Sequence, residues 1–177
     1  CQFDLTRCFG YPYTKDKGAS LGAPLIDHLV GTYENPPRST VAQAYDFIIE
    51  TLEEAVTLMS EEKNNGRMNK YAARALLARI YLYHDDNRKA FDLADQLIKD
   101  ADTSGSYALY PHEKYVAAWS VEAKFGSESF FEIANSVDDT PGRDSWGYLL
   151  NWYGYQKGFV TQKYAEQMLA DPGDVRG

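Results

Sequence analysis

The stretch from Asn69 to about Ala101 constrains the fold more than any other part of the chain. Between Lys70 and Tyr83 the apolar side chains recur in two helical rows rather than one. Ala72, Ala75, Leu76, Ile80 and Tyr83 form the first, and Ala73, Leu77 and Tyr81 form the second. A helix on the surface of a domain needs a single apolar stripe. Two stripes require partners on both sides, and four alanines (Ala72, Ala73, Ala75, Ala78) let those partners come close. Asn69 is placed to cap the helix, because its side chain can accept a bond from an unpaired N–H of the first turn. His84-Asp85-Asp86-Asn87 reads as a short turn with its own cap. The next helix carries Ala90, Phe91, Ala94, Leu97 and Ile98. Helices joined by so short a connection lie antiparallel and adjacent.

A third helix precedes this hairpin. Val41, Ala44, Tyr45, Ile48, Leu52, Ala55, Val56 and Met59 lie at helical spacing, and Asp46, Glu50, Glu53 and Glu54 take the other face. Thr40 with Gln43 fits a capping box, and Asn64-Asn65-Gly66 is the expected stop. The helical core therefore spans about 40–101. Its hairpin resembles a tetratricopeptide repeat, in which small residues sit where two helices cross, although no 34-residue period recurs. Residues 1–9 read as the tail of a helix, stopped by Gly10 and Pro12, and 10–38 as loop. Tyr107-Ala108-Leu109 reads as extended, 112–119 as a short helix, Ser129 to Ala134 as a short strand, and 135–160 as a long loop. Thr161 caps a last helix, to about Ala170. The expected class is all-α, mostly helical with long loops, in one domain over 1–177.

The net charge of −8 and the absence of any Lys/Arg run argue against nucleic acid and against an anionic membrane surface, both of which reward basic faces. A neutral glycan or a protein suits such a surface. No apolar run is long enough to span a bilayer. The chain starts at Cys1 without an initiator Met, so we read it as part of a longer precursor. Cys1 and Cys8, if on one helix, stand roughly 10 Å apart by helical rise, too far for a disulfide.

The strongest candidate for binding is the aromatic segment. Trp146, Tyr148, Trp152, Tyr153, Tyr155 and Phe159 place six of the chain's 25 aromatic residues in 14 positions, interleaved with Gly147, Gly154 and Gly158. Clustered aromatics in a loop mark binding surfaces. The C–H face of a pyranose stacks on a flat electron-rich ring, and Asn151, Arg143 and Asp144 supply hydrogen-bonding groups nearby. The glycan-binding expectation therefore rests on Trp146, Tyr148, Asn151, Trp152, Tyr153 and Tyr155. The alternative is that these rings pack back onto the helices. Catalysis is not expected. Glu128 and Glu132, on one face of a strand, would lie farther apart than paired hydrolytic carboxylates. His28, His84 and His112 are too scattered for a metal site, and no cofactor motif is present. Arg74 and Arg79 read as ion-pair or carbonyl partners between helices.

Five segments in order resemble the SusD/RagB family of outer-membrane nutrient-binding lipoproteins. They are Phe3-Asp4-Leu5-Thr6-Arg7-Cys8-Phe9-Gly10, Leu21-Gly22-Ala23-Pro24-Leu25, the capped helix Arg38-Ser39-Thr40-Val41 through Ala55, the hairpin Asn69 to Ala94, and Ser127-Glu128-Ser129-Phe130-Phe131-Glu132-Ile133. The resemblance implies a non-enzymatic, surface-exposed lipoprotein of the outer membrane. Such a protein binds an oligosaccharide or polysaccharide, or sometimes a peptide, and partners a SusC-like TonB-dependent transporter. It touches the membrane only through a lipid anchor that these residues lack. Family members are roughly three times longer, so this chain is expected to be one part of such a domain. The alternative reading is a tetratricopeptide-like scaffold for peptide or protein partners, and a weaker third is a helical glycoside hydrolase fragment.

Overall fold

The computed structural model describes residues 1–63, 65–119, 124–133, 138, 140, 142–151 and 153–174. Three long helices organise it: α3 (Val41–Leu58), α4 (Lys70–Tyr83) and α5 (Asn87–Ser104), preceded by α1 (Gln2–Phe9) and the short α2 (Tyr13–Asp16). α4 lies between α3 and α5 and packs against both. Its two apolar rows account for this. Ile80 joins Val41, Tyr45, Ile48 and Phe3 on one side. Leu77 and Tyr81 meet Ala90 on the other. Ala73 and Ala44 are fully buried, where a larger side chain would hold the helices apart.

The caps are those the sequence predicts, with one exception. The Gln43 N–H donates to Thr40 Oγ1 at 3.1 Å and the Thr40 N–H donates to Gln43 Oε1 at 2.9 Å, which closes the capping box. Asn69 Oδ1 accepts from the Ala72 N–H at 3.0 Å. The exception is Asp86, whose side chain caps nothing. Instead Asp85 takes a left-handed φ of 70° to turn the chain, and Asp86 forms an ion pair with Lys89 at 3.3 Å.

Three expectations about the helical core need correction. α3 stops at Leu58, ahead of Asn65-Gly66 (Asn64 lies outside the described residues). The chain leaves the helix early because the Ser60 carbonyl must accept from the Lys70 N–H, at 2.9 Å, at the start of α4. On α5, Phe91 and Ile98 point outward, 64% and 60% exposed, while Ala90, Leu97 and Ala101 are buried. Adjacent positions on a helix differ by about 100°, so turning Ala90 and Leu97 inward carries their successors to the rim. Finally, 10–38 is not loop throughout. Besides α2, it holds β1 (Leu21–Pro24), antiparallel to β2 (Arg38–Thr40) with Leu21 opposite Thr40. The Arg38 guanidinium ties the pair by donating to the Gly22 and Leu21 carbonyls, both at 2.7 Å. Gly18, at φ +76°, lets its carbonyl accept from Ala42 N–H, one of the unpaired donors opening α3; a Cβ at Gly18 would meet that nitrogen at 2.6 Å.

The strand expected over Ser129 to Ala134 does not form: 129–133 is irregular, and Ala134 lies outside the described residues. These residues serve a second core instead. Phe130 stacks on Tyr71 and packs on Tyr107, beside buried Leu97 and Ala101. Glu132 accepts from the N–H groups of Phe125 (2.7 Å) and Gly126 (3.1 Å). Lys63 Nζ donates to the Gly126 carbonyl at 2.7 Å and lies 4.8 Å from the Tyr107 ring. Asn69 Nδ2 donates to Tyr107 Oη at 2.7 Å. The N-terminus of α4 is thus locked to the segment that follows α5. After α5 also come α6 (Tyr115–Ala118), α7 (Trp146–Leu150) and α8 (Gln162–Leu169), the last capped by Thr161 as expected. Among the described residues no helix is long and apolar enough to cross a membrane.

Candidate functional site

The aromatic segment is not a plain loop. Ser145 Oγ accepts from the Tyr148 N–H at 3.1 Å and so caps α7, and Gly147 sits inside that helix. A one-turn helix tolerates the glycine because the cap supplies what propensity withholds. The chain then doubles back. Gly154 N–H bonds to the Asn151 carbonyl (2.9 Å), Tyr155 N–H to Tyr148 (3.0 Å), and Lys157 N–H to Leu149 (2.9 Å). A Cβ on Gly154 would collide with the Tyr148 carbonyl, so only glycine permits the return.

This return sorts the predicted residues. The rings of Tyr148 and Tyr155 meet edge to face, with centroids 5.2 Å apart. Tyr148 is half-buried by the contact and acts as a support. Trp146 (78% exposed) and Tyr153 (92% exposed) lie open to solvent, with Phe159 also exposed. Asn151 Oδ1 accepts from the Tyr153 N–H at 2.9 Å, so this oxygen orients the turn and the amide NH2 is what it offers a ligand. Arg143 and Asp144 stand exposed on the short 3-10 turn Gly142–Asp144 before α7. Trp152 lies outside the described residues. The segment thus presents bare aromatic faces on a hydrogen-bonded frame, a form suited to stacking on a neutral ring.

The charged candidates have structural duties. Glu128 Oε1 accepts from the Tyr110 N–H at 2.6 Å. Glu132 is held below the usual carboxylate range by a hydrogen bond from Ser129 and by its backbone donors. Glu132 is therefore not poised as a proton donor. Arg74 pairs with Asp100 at 2.7 Å across the hairpin, and Arg79, after Arg7, helps hold the Tyr83 hydroxyl below its ordinary pKa. His28 sits between Asp27 (2.6 Å) and Glu34 (2.7 Å), which raise its pKa. Among the described residues no three His, Cys, Asp or Glu side chains stand together as metal ligands. Cys1 and Cys8 are exposed and unpaired. Sequence reasoning missed one cluster entirely, a cleft of Tyr11, Tyr13, Tyr45 and Tyr83 beside Arg7, because residues far apart in the chain assemble it.

Comparison with known proteins gives a consistent picture. Residues 2–82 match the model of the SusD-like family described as starch-binding and associating with the outer membrane. A solved structure from Bacteroides vulgatus, described as a candidate sugar-binding protein, is 41% identical with a TM-score of 0.87, over 97% of this chain and 38% of that one. A SusD superfamily protein from Bacteroides thetaiotaomicron is 34% identical with a TM-score of 0.82, again over 97% of this chain and 38% of its own. A SusD-like carbohydrate-binding protein from Bacteroides vulgatus, at 23% identity and TM-score 0.69, covers 94% of this chain and 37% of its own and shares the fold. The chain spans less than two fifths of the length of these relatives. No curated protein matches it.

Proposed function

The chain belongs to the SusD-like family, and from that membership we propose that it is the helical part of a glycan-binding lipoprotein of the outer membrane. The observation that carries this reading is the 41% identity, over 97% of the chain, to a structure described as sugar-binding. In this role the protein has no catalytic task. It holds an oligosaccharide at the cell surface and passes it to a SusC-like TonB-dependent transporter. The exposed rings of Trp146 and Tyr153, with Trp152 and Tyr155, stack on the sugar faces, Tyr148 supports them, and Asn151 serves a hydroxyl. The −8 charge supports a neutral rather than an acidic glycan.

A second reading has its own observation. An open groove of about 430 Å³ runs along α4 between α3 and α5, floored by Val56, Leu77, Tyr81 and Leu93 and flanked by Glu53 and Lys89. Such a groove suits a peptide with apolar anchors. One experiment separates the two: an array of neutral and acidic oligosaccharides probed with the full chain. We expect selective capture of a neutral glycan, lost on changing Trp146 and Trp152 to Ala. Undiminished capture by that variant, with helical content intact, would overturn the site assignment. An array with no signal would overturn the function.

A further inference from the structure

We propose that the cleft between α1, α2, α3 and the end of α4 is a second sugar subsite, one that takes a single neutral pyranose unit. It rests on the glycan-binding reading but on different residues. Its volume is about 320 Å³, at the small end of ligand pockets. Four tyrosines line it: Tyr11, Tyr13, Tyr45 and Tyr83, with Arg7 and Thr14 at the edge. Tyr13 and Tyr45 form a rigid wall. Their rings meet edge to face at 5.5 Å, and Tyr13 lies 4.2 Å from the His84 ring behind it. Tyr11 is 53% exposed and stands at the mouth.

Arg7 decides the ligand class. Its Nη1 donates to Tyr83 Oη at 3.4 Å and its Nη2 lies 3.5 Å from Asp4. The guanidinium also rides 5.5 Å from the Tyr83 ring and 5.9 Å from that of Phe3. It is therefore held in place, with the exposed Asp4 carboxylate beside it as a counter-charge. A guanidinium has five N–H donors; with Tyr83, Asp4 and Cys8 (Nη2 to Sγ, 3.9 Å) served, others remain for a hydroxyl. Flat rings, a few oriented donors and a carboxylate beside the one guanidinium, which would repel an acidic ligand, fit a neutral sugar better than a uronate.

The test is a titration of the ¹⁵N-labelled full chain with maltotriose and, separately, trigalacturonate, following amide shifts. The expected result is saturable movement of Arg7, Tyr11, Tyr13, Thr14, Leu82 and Tyr83 with maltotriose alone. Tyr11→Ala should weaken that response by about threefold to tenfold, the worth of one aromatic contact, and leave the shifts at 146–155 unchanged. Movement confined to 146–155 would overturn the subsite and leave the proposed function standing. Movement confined to the Tyr11 cleft would uphold the subsite and overturn the aromatic segment as the principal site. A stronger response to trigalacturonate would overturn the neutral class. Silence at both places would overturn both.

Discussion

Asn69 joins more of the fold than any other polar side chain in the core, and its removal gives the sharpest stability prediction. It is 3% exposed. Its Oδ1 caps α4 through Ala72 N–H at 3.0 Å, and its Nδ2 donates to the Glu62 carbonyl (3.1 Å) and to Tyr107 Oη (2.7 Å). Asn69→Ala removes an N-cap, which costs about 1 kcal/mol. It also strips a buried acceptor (Tyr107 Oη) and a part-buried one (the Glu62 carbonyl) of a donor, at about 1 kcal/mol each. The sum is about 3 kcal/mol, or roughly 6–12 °C in Tm for a domain of this size. Tyr107→Phe removes only one of the three bonds and should cost about 1 kcal/mol. Urea unfolding followed by far-ultraviolet circular dichroism measures both through the midpoint at constant slope. If Asn69→Ala unfolds within about 0.5 kcal/mol of wild type, α4 is not held through this residue, and its tie to Tyr107 after α5 is wrong.

Ala73→Leu should destabilise by about 1–3 kcal/mol, because Ala73 is fully buried on a helix packed on two sides; a neutral result in the same urea assay would contradict that sandwich. Gly154→Ala should leave the unfolding midpoint almost unchanged yet weaken glycan binding in calorimetry, since a Cβ there strikes the Tyr148 carbonyl and opens the return. Burial holds the His84 pKa below its ordinary value of 6.5, against the opposing pull of Asp46 and Asp86 and with help from Lys89 and Lys17. The unfolded chain therefore takes up a proton first, so the His84 contribution to stability is lost as pH falls below about 6.5. His28, raised by Asp27 and Glu34, acts in the opposite sense: its contribution is present at low pH and lost as pH rises above 6.5. In a His28→Gln background, melting temperature should fall between pH 7 and pH 5, and adding His84→Phe should flatten that fall.

The helical core was legible because each step of its logic is local. Two apolar rows on 70–83 demanded two neighbours, and Thr40, Asn69 and Thr161 announced their helices through side chains that bond three residues ahead. What escaped was non-local or too short to carry a period. β1 and β2 have four and three residues, and Arg38, sixteen positions from Gly22, is what joins them. Ser129 to Ile133 is rich in residues that favour strands, yet among the described residues it pairs with no strand and is used to stack Phe130 on Tyr71. The exposure of Phe91 and Ile98 follows from the phase of α5, which apolar spacing alone does not set. At the aromatic segment the sequence singled out a cluster of rings without their arrangement. It could not separate Tyr148, a support, from Trp146 and Tyr153, open rings, because Gly154 and a three-bond return decide that division. The tyrosine cleft gave no signal, since Tyr11 and Tyr83 meet only after α1 and α4 have packed.

The claim that matters most is that exposed rings on the α7 return bind a neutral glycan. Calorimetric titration of the best ligand from the glycan array into wild type and into Trp146→Ala/Tyr153→Ala tests it directly, with circular dichroism as the check on folding. The loss of two stacking contacts should weaken affinity by about tenfold or more. An affinity within twofold of wild type, in a variant that folds normally, would contradict the account.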